Sequence, residues 1–310
     1  MLLADSYSCW GNRPMARGYA SVDEIPSVLR ACTRMFMAAA RRPGPLLLFV
    51  LCTLVTAVLP GSDEGGWQQS RLGTAAAVTE EEHCTVERRA HLTYPEFMQH
   101  YAFLKPVILQ GLTDNSRFRA LCSRENLLAS FGDNVVRLST ANTYSYQKGE
   151  LTHPLRPAFP TGHPLLYSCL LSSLLADTLY FFGDNNFTEW APLFQHYSPP
   201  PFRLLGTTPA YSFGIAGAGS GVPFHWHGPG FSEVIYGRKR WFLYPPEKTP
   251  EFHPNKTTLA WLQETYPSLA PSTRPLECTI QAGEVLYFPD RWWHATLNLD
   301  TSVFISTFLG

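Results

Sequence analysis

Three of the ten histidines in this sequence have a spacing that could place them around one metal ion. His225 and His227 flank Trp226, so in an extended strand both imidazole rings would project from the same face. His294 closes a later run in which a strand pattern is followed by a proline turn and two tryptophans. Three ligands on one side of an iron ion would leave positions open for a co-substrate and oxygen. Zinc would also accept three histidines.

The segments that must position these histidines are short, rich in β-branched and aromatic residues, and separated by Gly, Pro, Asn and Asp. This spacing predicts an all-β sandwich or barrel. The composition agrees, because 26 prolines, 14% aromatic and 16% charged residues suit a β-rich globular protein with many turns. The strands are predicted at Tyr211–Ile215, Phe231–Tyr236, Arg240–Tyr244, Cys278–Ile280, Glu284–Phe288 and Ser302–Thr307.

Two helices are predicted upstream of this region. Thr93 and Glu96 form a capping-box pattern before an apolar helix face, and Ser123 is the expected N-cap of a second short helix. Strands are predicted at Val107–Gln110 and Val135–Ser139. We therefore expect a mostly β fold with flanking helices.

Three sequence motifs carry a resemblance to a known family. They are GSGVPFHWH at 219–227, EVIYGRKRWFLYPP at 233–246 and GEVLYFPDRWWH at 283–294. Together they resemble a jumonji C domain of the small hydroxylase type, and the likeness covers residues 84–310 apart from 149–176. The resemblance implies a double-stranded β-helix (a jelly roll of the cupin type) with its metal-site core at 211–310. It also implies Fe(II), 2-oxoglutarate and the hydroxylation or demethylation of protein side chains.

The family's functional positions can be compared with this sequence one at a time. His225 and His294 match the first and third metal ligands. Lys239 matches the lysine that pairs with the distal carboxylate of 2-oxoglutarate; the alternative is a solvated charge in a hairpin. The resemblance therefore gives a metal site at His225, His227 and His294 and a cofactor-binding role for Lys239.

Two positions depart from the family pattern. His227 stands where the family has Asp or Glu, which leaves a divalent metal with a net charge of +2 rather than +1. Val222 stands where some relatives have a threonine that donates a hydrogen bond to 2-oxoglutarate. Glu233 is expected to lie too far along the chain to replace the missing carboxylate.

These departures predict weak or absent oxygenase activity and a regulatory role exerted through protein contacts. One alternative is an active protein hydroxylase with a three-histidine iron centre. Another is a zinc-binding cupin lyase or isomerase. The expected partners are proteins, with a homo-oligomer possible, and the net charge of −1 argues against nucleic acid.

The N-terminal part of the chain predicts entry into the secretory pathway. Residues 1–36 resemble an added extension, 37–61 a signal peptide, and 62–83 a linker. The alternative for the apolar segment is an uncleaved signal anchor, which is the only basis for a membrane association. Two sequons, at Asn186 and Asn255, predict glycosylation in the endoplasmic reticulum lumen.

The remaining cysteines and one atypical segment leave alternatives open. Cys84, Cys122, Cys169 and Cys278 permit three pairings in an oxidising compartment.

Residues 149–176 are rich in leucine and proline without a sustained period, and they predict either a hydrophobic loop with a short helix or a segment foreign to the fold.

Overall fold

The computed structural model of the chain describes residues 64–67, 83–140, 151–155, 179–182, 187–204 and 206–309. The predicted extension at 1–36, the signal peptide at 37–61 and the sequon residue Asn186 lie outside these residues.

The described chain forms two β-sheets with helices on their outer faces. The strands are β1 Arg88–Ala90, β2 Val107–Gln110, β3 Val135–Thr140, β4 Leu151–Pro154, β5 Leu179–Phe182, β6 Pro209–Ala216, β7 Gly221–His225, β8 Gly230–Tyr236, β9 Arg238–Tyr244, β10 Leu276–Gln281, β11 Glu284–Phe288, β12 Trp293–Asn298 and β13 Ser302–Leu309. The helices are α1 Tyr94–His100, α2 Ser116–Leu121, α3 Arg124–Phe131, α4 Phe187–Phe194 and α5 Thr258–Glu264, with short 3₁₀ turns at Tyr266–Ser268 and Pro271–Thr273.

The larger sheet has the strand order β1-β2-β11-β8-β13-β6-β5-β3-β4, and the smaller has the order β10-β9-β12-β7. The pairings of β6–β13 are antiparallel. Trp241 and Leu243 of the small sheet pack with Val234 and Phe288 of the large one, so the two sheets face each other across an apolar layer. This is the jelly-roll arrangement of a double-stranded β-helix, as predicted.

Helices cover the outer faces of both sheets. Helices α2, α3 and α4 supply Phe118, Leu127 and Trp190 to a core that also contains Phe213 of β6 and Ile305 of β13. Helix α5 supplies Trp261 to a second core, which it forms with residues of β7, β9 and β12. All of β8 and all but the first residue of β9 are buried, and the buried residues include Glu233, Lys239 and Arg240.

The predicted helix starts are present. The Thr93 amide donates to Glu96 Oε2 at 2.9 Å while the Thr93 side chain accepts from the Glu96 amide, which completes the capping box of α1. The Ser123 side chain accepts from the Asn126 amide at the start of α3. The predicted strands are also present, with ends that differ by a few residues.

Two segments are more closely integrated than their sequences suggested. Trp67 was assigned to the linker at 62–83, but it is buried in the core, and its indole donates to the Cys122 carbonyl at 3.0 Å. The linker prediction is therefore wrong for residues 64–67. Within the atypical segment 149–176, β4 pairs with β3 and Leu155 is fully buried. These five residues belong to the fold, and the rest of that segment lies outside the described residues.

One disulfide ties the start of the domain to the small sheet. It joins Cys84 to Cys278 of β10, which is one of the three pairings left open by the sequence. The Thr85 amide donates to the Glu277 carbonyl at 2.8 Å and continues this attachment. Cys122 is a buried free thiol, and Cys169 lies outside the described part of the chain.

None of the helices in the described residues is long and apolar enough to cross a membrane.

Candidate metal centre

The three predicted histidines converge at one end of the small sheet. His225 ends β7, and His294 lies directly opposite it on β12 in the antiparallel register. His227 lies two residues beyond the end of β7, so the expectation that one strand carries both rings is wrong in detail. The Arg291 amide, in the turn between β11 and β12, donates to the His227 carbonyl at 3.0 Å and fixes this loop.

The distances between the rings suit a single ion. One nitrogen from each of the three histidines lies within 4.8 Å of the others. His227 Nε2 and His294 Nε2 are 3.2 Å apart. Two nitrogens bound to one metal at about 2.0–2.1 Å would be separated by roughly 2.8–3.0 Å in octahedral geometry and roughly 3.3–3.4 Å in tetrahedral geometry.

Backbone carbonyls set the tautomer of each ring. The Nδ1 atoms of His225, His227 and His294 face the carbonyls of Pro223, Gly228 and Trp292 at 2.8, 2.8 and 2.9 Å. Because a carbonyl only accepts, each Nδ1 must carry the proton, which leaves the Nε2 lone pairs to face one another. Unprotonated nitrogens 3.2 Å apart repel, and a shared cation removes that repulsion. The residues therefore fit a metal ion.

Burial also keeps these rings neutral. Desolvation lowers the pKa of His225 to about 4, and it lowers the pKa of His227 in the same direction. The pKa of His294 lies well below its usual value because of burial and the two neighbouring histidines. All three rings are therefore available as ligands at neutral pH.

The rings line a pocket between the two sheets whose empty space, including its opening to solvent, is about 330 Å³. Its lining residues are Tyr180, Phe182, Val222, His225, His227, Lys239, Trp241, Phe288, His294, Thr296, Ser306 and Phe308.

Lys239 reaches this pocket from β9 and is only 2% exposed. Its ammonium lies 3.3 Å from the centre of the Phe304 ring, and it makes no hydrogen bond or ion pair within the described residues. Burial lowers the pKa of Lys239 to about 7. Its neighbours Arg238 and Arg240 are instead paired with Asp300 and Glu277, each at 2.6 Å. The alternative of a solvated hairpin charge is therefore wrong for Lys239.

Val222 is on the pocket wall, where its side chain can offer no hydrogen bond. Its backbone amide donates to Thr296 Oγ1 at 3.2 Å, and its carbonyl accepts from Thr258 Oγ1 at 3.0 Å. Thr296 was not among the predicted site residues. Its position could have been found from the strand period, because it lies two residues after His294 and shares that face of β12.

Glu233 does not join the metal site. It is buried on β8, and the Asn115 side chain donates to its two carboxylate oxygens at 3.2 and 3.0 Å. The adjacent residue, Ser232, contacts the pocket residue Ser306, so Glu233 lies on the opposite face of the strand. Burial raises the pKa of Glu233 to about 7.

The described sequon is separate from this site. Asn255 is exposed in the turn that precedes α5, and Thr257 of the same sequon is the N-cap of that helix. An exposed turn is a position at which a glycan can be carried without disturbing the core.

The double-stranded β-helix and its histidine pocket define a cupin-like protein of the JmjC type. The family model described as a cupin-like domain matches residues 94–308, and the chain belongs to this family. The resemblance stated from the motifs is thereby confirmed.

The chain is most usefully compared with three relatives. It is 85% identical to the rat JmjC domain-containing protein 8 (Rattus norvegicus) over 274 residues, which cover 88% of this chain and 100% of that protein. It is 76% identical to the human protein of the same name (Homo sapiens) over 266 residues, covering 85% and 98% of the two chains. A chicken protein (Gallus gallus) named 2-oxoglutarate and iron-dependent oxygenase JMJD4 is 34% identical over 99 residues, covering 28% and 23%.

Proposed function

We propose that this chain is a metal-binding JmjC protein of the endoplasmic reticulum lumen that turns 2-oxoglutarate over slowly or not at all and acts through contacts with other proteins. The observation that carries the proposal is the convergence of three Nε2 lone pairs beside a buried lysine that makes no ion pair within the described residues. A cation would remove the repulsion between the lone pairs, and an anion would give the buried ammonium a charged partner.

His225, His227 and His294 would hold the metal through Nε2. Their Nδ1 protons stay on backbone carbonyls, which keeps each ring oriented whether or not an ion is present. A bound Fe(II) would supply the redox chemistry of oxygen activation. The chain's own contribution is a neutral ligand set within a largely apolar pocket.

Lys239 would receive a carboxylate of 2-oxoglutarate. The buried ammonium lies against the rings of Trp241 and Phe304, and it would gain a charge-assisted hydrogen bond when an anion binds. The same anion would raise the pKa of Lys239 toward its ordinary value, because an opposite charge favours the protonated form. The name of the chicken relative, which includes both iron and 2-oxoglutarate, supports this choice of ligands.

Slow turnover is proposed because the ligand at position 227, where the family has a carboxylate, is a neutral histidine. With His227 the metal keeps its full +2 charge, whereas an aspartate at this position would reduce it to +1 and add a hard oxygen ligand. A change of this kind alters the redox balance of an iron centre. A protein that binds its ligands without efficient turnover can still present a fixed surface to partner proteins.

The lumenal location is supported by separate features of the chain. The Cys84–Cys278 disulfide is a bond that persists in oxidising compartments. Asn255 is exposed and belongs to a sequon. Both features are compatible with the predicted signal segment at 37–61.

The central experiment is an anaerobic titration of the metal-free protein with Fe(II) and then 2-oxoglutarate, monitored by the charge-transfer absorption of the complex. We expect the absorption band in the wild-type protein, its loss in Lys239→Met, and its retention in the surface control Lys105→Met. Metal analysis of the purified protein would show whether zinc is bound instead. Wild-type metal affinity in a triple His→Ala variant of the centre would contradict the proposal.

The second candidate is an active hydroxylase with a three-histidine iron centre. The presence of Lys239 in the pocket favours it, because a co-substrate site is retained. Rapid 2-oxoglutarate decarboxylation by the wild-type protein that disappears in His227→Asp would establish this candidate and exclude slow turnover.

A further inference from the structure

The hydroxyl group of Thr296 lines the pocket opposite Val222, the position at which some relatives have a threonine. Val222 on β7 and Thr296 on β12 are register partners, and both side chains line the pocket. Val222 cannot supply the hydrogen bond that some relatives make to 2-oxoglutarate with a threonine. Thr296 lies across the same strand pair and carries the group that Val222 lacks.

The hydrogen bonding of Thr296 leaves its proton available. A hydroxyl has one proton to donate and two lone pairs to accept with. Thr296 Oγ1 accepts from the Val222 amide at 3.2 Å. It donates to no acceptor among the residues that the structure describes. Its O–H group is therefore held in place by one bond and remains free to donate to a bound anion.

The sheet register places this hydroxyl close to the buried ammonium. Thr296 pairs directly with Trp241 of β9, and Lys239 lies two residues before Trp241. Diagonal neighbours of this kind are about 7–8 Å apart at Cα and share one face of the sheet. Side chains of Thr and Lys in this relation can reach the same carboxylate.

We infer that Thr296 is a binding residue for the distal carboxylate of 2-oxoglutarate and that it replaces, from the opposite strand, the hydroxyl absent at Val222. This inference rests on the proposed function, because it requires that 2-oxoglutarate occupies the pocket. The carboxylate would accept one hydrogen bond from Thr296 and one from Lys239. The co-substrate site would then keep its number of hydrogen-bond donors through a cross-strand exchange, in which a hydroxyl on β12 replaces the one absent from β7.

The test measures the dissociation constant of 2-oxoglutarate by calorimetry, without oxygen and with a redox-inert divalent ion such as Mn(II) in the metal site. Thr296→Val keeps the side-chain shape and removes the hydroxyl. We expect a loss of affinity of about tenfold, since hydrogen bonds to charged groups are stronger than neutral ones. Thr296→Ser should retain wild-type affinity within about twofold, because the hydroxyl remains.

A double variant distinguishes the loss of the hydroxyl as a ligand for 2-oxoglutarate from a loss of protein stability. Thr296→Val also leaves the Val222 amide without its acceptor, so its melting temperature should fall. Val222→Thr/Thr296→Val moves the hydroxyl back to β7, and we expect it to recover most of the lost affinity. Thr279→Val, which removes a buried hydroxyl from β10 outside the pocket, is the matched control and should bind as the wild type does.

The outcomes separate the two proposals. If the wild-type protein binds no 2-oxoglutarate with metal present, both the proposed function and this inference are overturned. If it binds, but Thr296→Val binds equally well, only the role of Thr296 is overturned. If Val222→Thr fails to restore binding in the double variant while Thr296→Ser retains it, the cross-strand exchange is overturned.

Discussion

Replacing Lys239 by methionine should stabilise the metal-free protein while removing the cation of the proposed co-substrate site. Methionine keeps most of the lysine stem and removes the buried charge. The charge is costly because burial lowers the pKa of Lys239 from its ordinary value of 10.5 to about 7. At pH 7.5 this difference corresponds to a destabilisation of about 4 kcal/mol.

A favourable contact offsets part of that cost. The ammonium lies over the Phe304 ring at 3.3 Å, and a desolvated cation–π contact of this kind contributes roughly 1–2 kcal/mol. We therefore expect Lys239→Met to raise the free energy of unfolding by about 2–3 kcal/mol. For a domain of this size the melting temperature would rise by roughly 4–12 °C.

The pH dependence provides a second measurement of the same effect. Between about pH 7 and 10.5, Lys239 is protonated in the unfolded state and deprotonated in the folded state. The free energy of unfolding of the wild-type protein therefore increases as the pH rises through this range. The advantage of Lys239→Met should be largest below pH 7 and should disappear above about pH 10.5.

The assay is urea denaturation of chelator-treated protein at several pH values, with Lys105→Met as the exposed control. A surface substitution of that kind should change stability by no more than about 0.5 kcal/mol. If Lys239→Met is less stable than the wild type, with no difference in pH slope, then the ammonium has favourable partners in the folded state. The reasoning about an unpaired buried charge would then be refuted.

Three further predictions concern the rest of the molecule. His227→Asp should bind Fe(II) more tightly and decarboxylate 2-oxoglutarate faster than the wild type; anaerobic Fe(II) titration and a turnover assay that show no gain would mean that the neutral ligand is not limiting. Cys278→Ser should lower the free energy of unfolding by about 2–5 kcal/mol, measured by urea denaturation. The stability of this variant should no longer change when reductant is added, and a stability equal to that of the wild type would contradict the prediction. Asn255→Gln, expressed with residues 37–61 present, should lose an endoglycosidase-sensitive step in gel mobility, whereas an identical mobility would exclude glycosylation there.

Much of the β-helix could be predicted because its signals are local. The runs at Phe231–Tyr236 and Glu284–Phe288 are apolar, β-branched or aromatic and bounded by turn residues, and each forms a strand. The signal for the start of α1 is equally local, because the capping contacts join Thr93 and Glu96, which are three residues apart. Where the cause lies within a few residues, the sequence alone was sufficient.

The errors arose where the cause was distant in the chain. Trp67 looked like part of a linker because its partner, the Cys122 carbonyl, is 55 residues away. Leu155 follows a strand whose pairing with β3 cannot be read from a segment without periodicity. Neither contact leaves a pattern in the neighbouring residues.

The site was predictable in its ligands but not in its hydrogen bonding. The motifs identified His225, His227 and His294, yet the three carbonyls that orient their rings depend on local backbone geometry. Lys239 was identified by resemblance alone, and only its burial distinguishes it from a hairpin charge. Thr296 was missed because a threonine in a strand usually reflects only β-propensity.

The substitution at His227 and the state of Lys239 are connected through the charge of the pocket. The described lining residues include no carboxylate, so a divalent metal and a protonated Lys239 together would give the site a charge of +3. A bound dicarboxylate would reduce this to +1, whereas with an aspartate ligand the same complex would be neutral. The residual positive charge favours retention of any dicarboxylate, including the product of 2-oxoglutarate decarboxylation. Retention of product slows turnover without weakening binding, which is the behaviour that we propose for this protein.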